Sequence, residues 1–186
     1  EIGSGLVGSE MCIRDSWNTK GEQFLSKNPP HTGHIRQILE MFPHAKFIYL
    51  VRNPYTVFES TRSFFCNTIQ PLKLQHISDE ELENNILEVY KRLYRRYEQD
   101  KQLIPAGNLI EIKFEDYEKD ALAITEKIYK TLSLPGFENA KADIARYLDK
   151  KKGYKKNAYK YEDRTIELVE KNWDFALKQW GYERLG

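Results

Sequence analysis

The pattern of apolar and polar residues predicts short strands that alternate with amphipathic helices. Residues 46–51 form a nearly continuous apolar run of strand-forming residues, and residues 109–114 form a second one. Runs of this kind suit strands that are covered on both faces, as in parallel sheets. A third, shorter extended segment is predicted for residues 23–26, and it ends at Lys27 just before two prolines.

Apolar residues recur at helical spacing between and after these strands. The predicted helices span residues 35–42, 54–65, 79–103, 120–132, 139–148 and 163–179. We expect the buried side of the second helix to consist of Val57, Phe58, Thr61, Phe64 and Phe65. The order of the elements predicts an α/β fold, in which helices flank both faces of a mostly parallel sheet.

Charged residues stand at the predicted ends of the three strands. Lys27, Arg52 and Glu115 occupy these positions, and two of the three are cations. In sheets of this type, ligands bind beyond the carboxyl ends of the strands. The pattern therefore predicts an anion site at that edge of the sheet.

Arg52 and Ser60 are the residues best placed to hold an anion. An arginine at a strand end can donate two parallel hydrogen bonds to a phosphate. The helix that follows adds backbone N–H groups and the positive end of its dipole. If that helix begins near Thr56, Ser60 lies about one turn inside it. The alternative is that Arg52 pairs with a carboxylate such as Glu59, and that Ser60 is a small packing residue.

The composition of the chain argues against several classes of binding partner. The chain has 29 Lys and Arg against 28 Asp and Glu, so its net charge of +1 provides no general field for nucleic acid. No apolar run approaches the roughly 18 residues of a membrane span. Cys12 and Cys66 do not suggest a disulfide framework, and a cytoplasmic location is expected. His31 and His34 lack partner ligands, so no metal site is expected.

The first sixteen residues differ in character from the remainder. Residues 8–16 resemble a translated adapter sequence, and the stretch has neither the charged start nor the apolar core of a signal peptide. We expect residues 1–16 to be a non-native leader, although a disordered native terminus is the alternative. Residues 17–186 are expected to form the carboxy-terminal part of a single domain.

Several segments together resemble sulfotransferases that use 3′-phosphoadenosine 5′-phosphosulfate (PAPS). An apolar strand, then Arg52, then Ser60 eight positions later resembles the 3′-phosphate motif of that family. Residues 27–32, Lys-Asn-Pro-Pro-His-Thr, resemble the Lys-x-Pro segment of bacterial-type members. Residues 114–117 resemble the Tyr-Glu-Asp segment, and residues 180–182 resemble the usual ending. The similarity covers roughly residues 20–184.

The resemblance implies both a fold and a reaction. The fold would be like that of P-loop NTPases. PAPS would be the donor, and a hydroxyl or amine of a small-molecule, lipid or carbohydrate acceptor would receive the sulfuryl group. Arg52 and Ser60 would hold the 3′-phosphate. A basic loop at residues 150–157 would close over the nucleotide through Tyr154 and Lys155, unless its lysines form only a solvated surface.

The resemblance also suggests catalytic residues. Lys27 would neutralise charge on the sulfuryl group or the bridging oxygen, or it could be a surface lysine beside a turn. Cytosolic members carry a histidine two residues after this lysine, where the present chain has Pro29. His31 is therefore the nearest candidate general base, although a loop role for it, or a base from another segment, remains open.

One element of the family pattern is missing. The Gly- and Ser/Thr-rich loop that cradles the 5′-phosphosulfate, and the strand before it, are not found in the sequence. We therefore expect poor solubility and no transfer activity for the chain alone. A nucleotide kinase on a related fold would need a Walker loop and a magnesium-binding carboxylate, and neither is evident. A non-catalytic interaction module built on the helix at residues 79–103 is the third possibility.

Overall fold

The computed structural model describes residues 24–69, 75–151 and 159–186. The expected leader at residues 1–16 lies outside the described residues. So do Tyr154 and Lys155, the two candidate residues of the basic loop. The other four candidate site residues, Lys27, His31, Arg52 and Ser60, are described.

Two strands and seven α-helices make up the regular structure of the described residues. The strands are β1 (Phe47–Val51) and β2 (Leu109–Lys113). The helices are α1 (Ile35–Met41), α2 (Pro54–Ser63), α3 (Asp79–Asp100), α4 (Phe114–Lys119), α5 (Ala121–Thr131), α6 (Phe137–Lys150) and α7 (Asp163–Trp180). Short 3-10 helices span Pro29–Gly33 and Lys101–Leu103, and a π-helical turn spans Phe64–Thr68. Among the described helices, none is both long and apolar enough to cross a membrane.

The two strands pair in parallel, so the fold is a mostly helical α/β arrangement around a small parallel sheet. The register places Phe47 opposite Leu109 and Val51 opposite Lys113. Both strands were predicted at these positions, and their parallel pairing is confirmed. Because parallel strands need a long crossover, α2 and α3 lie in the connection between them.

The predicted extended segment before Lys27 is wrong over its described part. Residues 24–28 adopt no regular secondary structure, and Leu25 is 83% exposed. A strand is stable only when a neighbouring strand pairs with its backbone groups, and these residues belong to no strand ladder. Lys27 therefore does not stand at the end of a described strand.

The main core lies where α2, α3 and α7 meet. Trp173 of α7 is fully buried, stacks on Tyr90 of α3 and meets the edge of Phe58 of α2. Its indole N–H donates a hydrogen bond of 3.1 Å to the carbonyl of Leu87. Burying large aromatic side chains supplies much of the stability of such a core. This core fixes the position of α2, the helix that follows Arg52.

The buried side of α2 differs from the prediction at its end. Tyr55 and Phe58 are completely buried, whereas Phe64 and Phe65 are exposed. These two phenylalanines lie in the π-helical turn that continues α2. A π-helical turn contains more residues than an α-helical turn, so residues within it and after it no longer follow the face that the α-helical period predicts. Phe64 and Phe65 therefore contact each other at the surface.

The two faces of the sheet are covered unequally. On one face, Tyr49 stacks on Tyr97 of α3 with ring centroids 3.8 Å apart. On the other face, Ile110 and Ile112 of β2 pack against α5 in a second core cluster. Their neighbours in β1 are much less covered: Ile48 is 38% exposed and Leu50 is 53% exposed. Helices thus flank both faces, but the described helices leave β1 partly open on one of them.

Candidate functional site

The two strands end side by side and bring four residues together, which we call the strand-end corner: Arg52, Asn53, Phe114 and Glu115. The parallel register pairs Val51 with Lys113, the last residues of the two strands, so the segments that follow them start side by side. The guanidinium carbon of Arg52 lies 4.8 Å from the centroid of the Phe114 ring. One residue further, the Asn53 amide donates a hydrogen bond of 2.9 Å to Oε1 of Glu115.

Arg52 does not make the ion pair that would exclude an anion. Glu59 instead accepts a hydrogen bond from Thr165 and lies 3.9 Å from Arg62. Among residues 24–69, 75–151 and 159–186, no carboxylate lies within ion-pair distance of Arg52. The guanidinium carbon lies over the ring of Phe114, and none of the guanidinium N–H groups is hydrogen-bonded to another described residue, so they remain able to donate.

Helix α2 begins next to Arg52 and is capped by Asn53. The Asn53 Oδ1 accepts a hydrogen bond of 2.9 Å from the Tyr55 amide, and Pro54 occupies the first helical position, where its missing N–H costs nothing. The Tyr55 hydroxyl donates to Glu170 of α7 over 2.7 Å. These bonds fix the amino-terminal end of α2, whose positive dipole end favours an anion beside Arg52.

Ser60 lies further along α2 than the sequence suggested. The helix begins at Pro54, so Ser60 is about 9 Å along the axis from its start, nearly two turns instead of one. It shares a helix face with Asn53 and Thr56, because residues three, four and seven apart fall on one side. The Thr56 hydroxyl lies between them along this face and forms a hydrogen bond of 2.6 Å with the hydroxyl of Tyr161.

Lys27 and His31 belong to a different part of the structure. Lys27 is exposed in irregular chain, and His31 lies in the 3-10 helix Pro29–Gly33. That helix packs on α3, and a Cβ atom at Gly33 would lie 3.1 Å from Leu93. In the described part of the chain, no hydrogen bond or ion pair joins Lys27 or His31 to the strand-end corner.

The environment of His31 favours its neutral form. Partial burial, and then the neighbouring His34, lowers the pKa of His31 below its usual value. A neutral imidazole can accept a proton, which is the property that a general base requires. This property is compatible with the role predicted for His31.

The structure adds Tyr182, which was noted in the sequence only as part of the chain ending. Its hydroxyl donates a hydrogen bond of 2.7 Å to Oε2 of Glu115, the oxygen that Asn53 does not use. Gly181, in the left-handed conformation at φ 60°, ends α7 and turns the chain so that Tyr182 reaches the corner. Burial, and then the bond to Glu115, raises the pKa of Tyr182, so its hydroxyl remains protonated.

The sequence indicated only in part that Phe114 and Glu115 belong to the site. Phe114 was the last residue of the strand predicted at residues 109–114, and Glu115 was noted as a charge at the end of that strand. Their partners depend on the register between β1 and β2, which a single sequence does not provide. The pairing of Val51 with Lys113 brings the next residues of both segments close together, and the structure shows the contacts of Arg52 with Phe114 and of Asn53 with Glu115.

Metal ligands are not grouped in the described residues. No cluster of three or more His, Cys, Asp or Glu side chains suited to a metal ion occurs among them.

A model of the sulfotransferase family matches residues 10–139, which include the whole strand-end corner. The chain belongs to the sulfotransferase family. Two curated sulfotransferases that act on omega-hydroxy-beta-dihydromenaquinone-9, from Mycobacterium bovis and Mycobacterium tuberculosis, are each 30% identical to it over 158 residues. The match covers 85% of this chain and 41% of each relative. No solved structure matches the chain.

Family membership confirms the recognition made from the motifs. The matched range contains residues 27–32, the apolar strand with Arg52, Ser60 and the segment after β2, all of which carried the resemblance, whereas residues 180–182 lie outside it. The chain spans about two fifths of the length of its curated sulfotransferase relatives.

Proposed function

We propose that the protein to which this chain belongs transfers a sulfuryl group from PAPS to a hydroxyl or amine acceptor. The observation that carries the proposal is Arg52, a guanidinium at the carboxyl end of β1 with no carboxylate partner among the described residues. Membership of the sulfotransferase family supports sulfuryl transfer over the phosphoryl transfer of a kinase. It equally argues against a purely non-catalytic interaction module.

Arg52 and Ser60 are proposed to bind the 3′-phosphate of the donor. Arg52 would donate two hydrogen bonds to the phosphate, and the amino-terminal end of α2 would add a favourable dipole. Ser60 would donate from the same helix face, further along α2. Tyr154 and Lys155 are proposed to contact the nucleotide from the basic loop, which lies outside the described residues.

Lys27 and His31 are proposed for the transfer step. The acceptor oxygen or nitrogen forms a bond to sulfur while the bond from sulfur to the bridging oxygen breaks. The electron pair leaves with the 5′-phosphate, where Lys27 would offset the growing negative charge. His31, as a neutral imidazole, would take the acceptor proton. Both residues would have to approach the corner from the segment that now packs on α3.

The acceptor is proposed to be a small molecule, lipid or carbohydrate with a reactive hydroxyl or amine. The curated relatives are named for a hydroxylated dihydromenaquinone, so a hydroxyl on a lipid-like quinone is the first acceptor to test. The exposed pair Phe64 and Phe65, directly after α2, gives an apolar surface near the helix that carries Ser60.

Calorimetry on the full chain tests the donor assignment. We expect 3′-phosphoadenosine 5′-phosphate (PAP) to bind, and Arg52→Ala to weaken that binding roughly 10- to 100-fold, because a charge-assisted hydrogen bond is lost. Adenosine 5′-phosphate, which lacks the 3′-phosphate, should lose little affinity. Equal losses for the two nucleotides would count against the assignment.

Arg146→Ala is the matched control for this experiment. Arg146 lies on α6, is well exposed and pairs with Asp143 at 3.1 Å. The substitution removes the same charge as Arg52→Ala but away from the strand-end corner. PAP affinity should stay within about twofold of the parent value, because exposed charges at a distance are screened by salt.

A further inference from the structure

Glu115 places a negative charge directly beside the proposed phosphate site. Its carboxylate accepts from the Asn53 amide, and that amide is joined by one peptide bond to Arg52. A carboxylate so close to a guanidinium is the normal partner for an ion pair. Yet the pair is not formed: Arg52 lies over Phe114, and Glu115 is held elsewhere.

The two oxygens of Glu115 are both occupied by neutral donors. Oε1 accepts from the Asn53 amide at 2.9 Å, and Oε2 accepts from the Tyr182 hydroxyl at 2.7 Å. Tyr182 is itself held, since its amide donates to Leu177 over 2.9 Å and the ammonium of Lys113 lies 4.9 Å from its ring centroid. The carboxylate is thus fixed from two directions.

We infer that Tyr182 is a positioning residue, which keeps the Glu115 carboxylate away from Arg52 so that the guanidinium stays available for the donor phosphate. The inference rests on the proposed function and deepens it. Tyr182 would touch neither the donor nor the acceptor, and it would act only through Glu115. A residue in the chain ending, beyond the last helix, would then set the anion affinity of a corner formed by the two strands.

Two substitutions separate this role from a structural one. Tyr182→Phe removes the hydroxyl and frees Oε2 of Glu115, while it keeps the aromatic ring beside Lys113. Glu115→Gln removes the charge but preserves both bonds, because an amide oxygen can accept from Asn53 and an amide N–H can donate to Tyr182. In the double variant, Tyr182→Phe with Glu115→Gln, the side chain at position 115 has lost its bond to Tyr182 and carries no charge.

A positioning role and a purely structural role of Tyr182 predict different PAP affinities for the variants, measured on the full chain. We expect Tyr182→Phe to weaken PAP binding roughly 5- to 10-fold, because the freed carboxylate competes for Arg52. Glu115→Gln should bind PAP as tightly as the parent or more tightly. The double variant should recover the parent affinity to within about twofold, a coupling that a double-mutant cycle measures. A double variant as weak as Tyr182→Phe would overturn the inference, since the loss would then come from damaged packing.

Tyr97→Phe is the matched control. Tyr97 also donates its hydroxyl to a glutamate, Glu111, but in the middle of β2 and away from the corner. Both variants lose one tyrosine–carboxylate hydrogen bond, so thermal unfolding should detect similar losses of stability. Only Tyr182→Phe should reduce PAP affinity. If Tyr182→Phe fails to fold, Glu115→Gln still decides, because weaker PAP binding in that variant contradicts the inference.

The inference can be tested even if the chain binds no nucleotide. Failure of the parent chain to bind PAP counts against the proposed function alone. The Nε–H resonance of Arg52 in the free protein, assigned with Arg52→Lys, then reports on the ion pair. We expect it to shift in Tyr182→Phe, to return in the double variant and to stay unchanged in Tyr97→Phe. An unshifted resonance in Tyr182→Phe would mean that Glu115 turns to water or to Lys113, which overturns the inference.

Discussion

The strand-end corner and the amino-terminal segment of residues 24–34 both carry predicted site residues, but they are held in very different ways. In the corner, each residue has a named partner: Arg52 lies on Phe114, and Asn53 and Tyr182 both bond to Glu115. In the amino-terminal segment, Lys27 is exposed, and residues 24–28 have no regular structure. The 3-10 helix that follows is capped by Asn28 without a side-chain bond.

This difference shows how a site residue acquires a fixed position. A residue that directly follows a strand takes its place from the sheet register, and neighbouring strand ends then supply its partners. A residue in irregular chain depends on whatever surface its segment packs against, here α3 through Gly33 and Leu93. The corner is therefore held in a fixed arrangement by its own contacts, whereas the amino-terminal segment rests on the packing of its 3-10 helix against α3.

The largest expected difference between the two regions concerns the core that supports α2. Trp173→Ala should lower the free energy of unfolding by about 3–5 kcal/mol, because it opens a cavity beneath Phe58 and removes the bond to Leu87. Phe24→Ala, in the amino-terminal segment, should cost about 0.5 kcal/mol or less, since that ring is half exposed. Urea unfolding followed by circular dichroism measures both. Similar losses would show that the amino-terminal segment is as firmly packed as the core that supports α2.

The two strands that form the corner should also differ from each other. Leu50 and Ile112 face each other in the register, but Ile112 is buried and Leu50 is 53% exposed. Ile112→Ala should cost about 2–4 kcal/mol, whereas Leu50→Ala should cost about 1 kcal/mol or less. Leu50→Lys should in addition raise the solubility of the chain, because it places a charge on an open apolar face. If Leu50→Ala were as costly as Ile112→Ala, the open side of β1 would be covered in solution.

Much of the fold could be predicted because its signals are local. The apolar runs of β1 and β2 and the long periodic pattern of α7 need no tertiary information, and the structure places all three as expected. The prediction failed where the outcome depends on a partner. Residues 24–26 have strand-forming character but no neighbouring strand, and the π-helical turn at Phe64 moved two phenylalanines off the buried face.

The candidate site shows the same division between local and non-local information. Arg52 could be proposed from its place after an apolar strand. That it forms no ion pair with Glu59 is visible only in the structure. Tyr182 lies 67 positions from Glu115 in the chain, and no spacing rule connects them. Their contact depends on how α7 packs, which is decided by the core around Trp173 and not by any motif.

Two asparagines give the most direct comparison of the regions, because both cap a helix. Asn53 accepts a hydrogen bond from Tyr55 in the corner, whereas Asn28 makes no side-chain cap bond. Asn53→Ala should cost about 1 kcal/mol, and Asn28→Ala should cost a few tenths of that at most. Asn53→Asp, which keeps the cap, should recover most of the stability. A loss at Asn28 that equals the loss at Asn53 would contradict the contrast in local order.

The smallest expected effect concerns His31 and is read from its pH dependence. The pKa of His31 is lowered in the folded chain by partial burial and then by His34, from an ordinary value of 6.5. Below pH 6.5 the unfolded chain therefore binds a proton more readily than the folded chain does, and stability falls with falling pH until the lowered pKa is passed. His31→Gln should remove this contribution, so its unfolding midpoint should decline less between pH 7 and pH 5. A histidine titration by NMR measures the pKa of His31 directly. A value above 6.5 would show that the 3-10 helix does not rest against α3 as described. The amino-terminal segment would then be even less ordered relative to the corner.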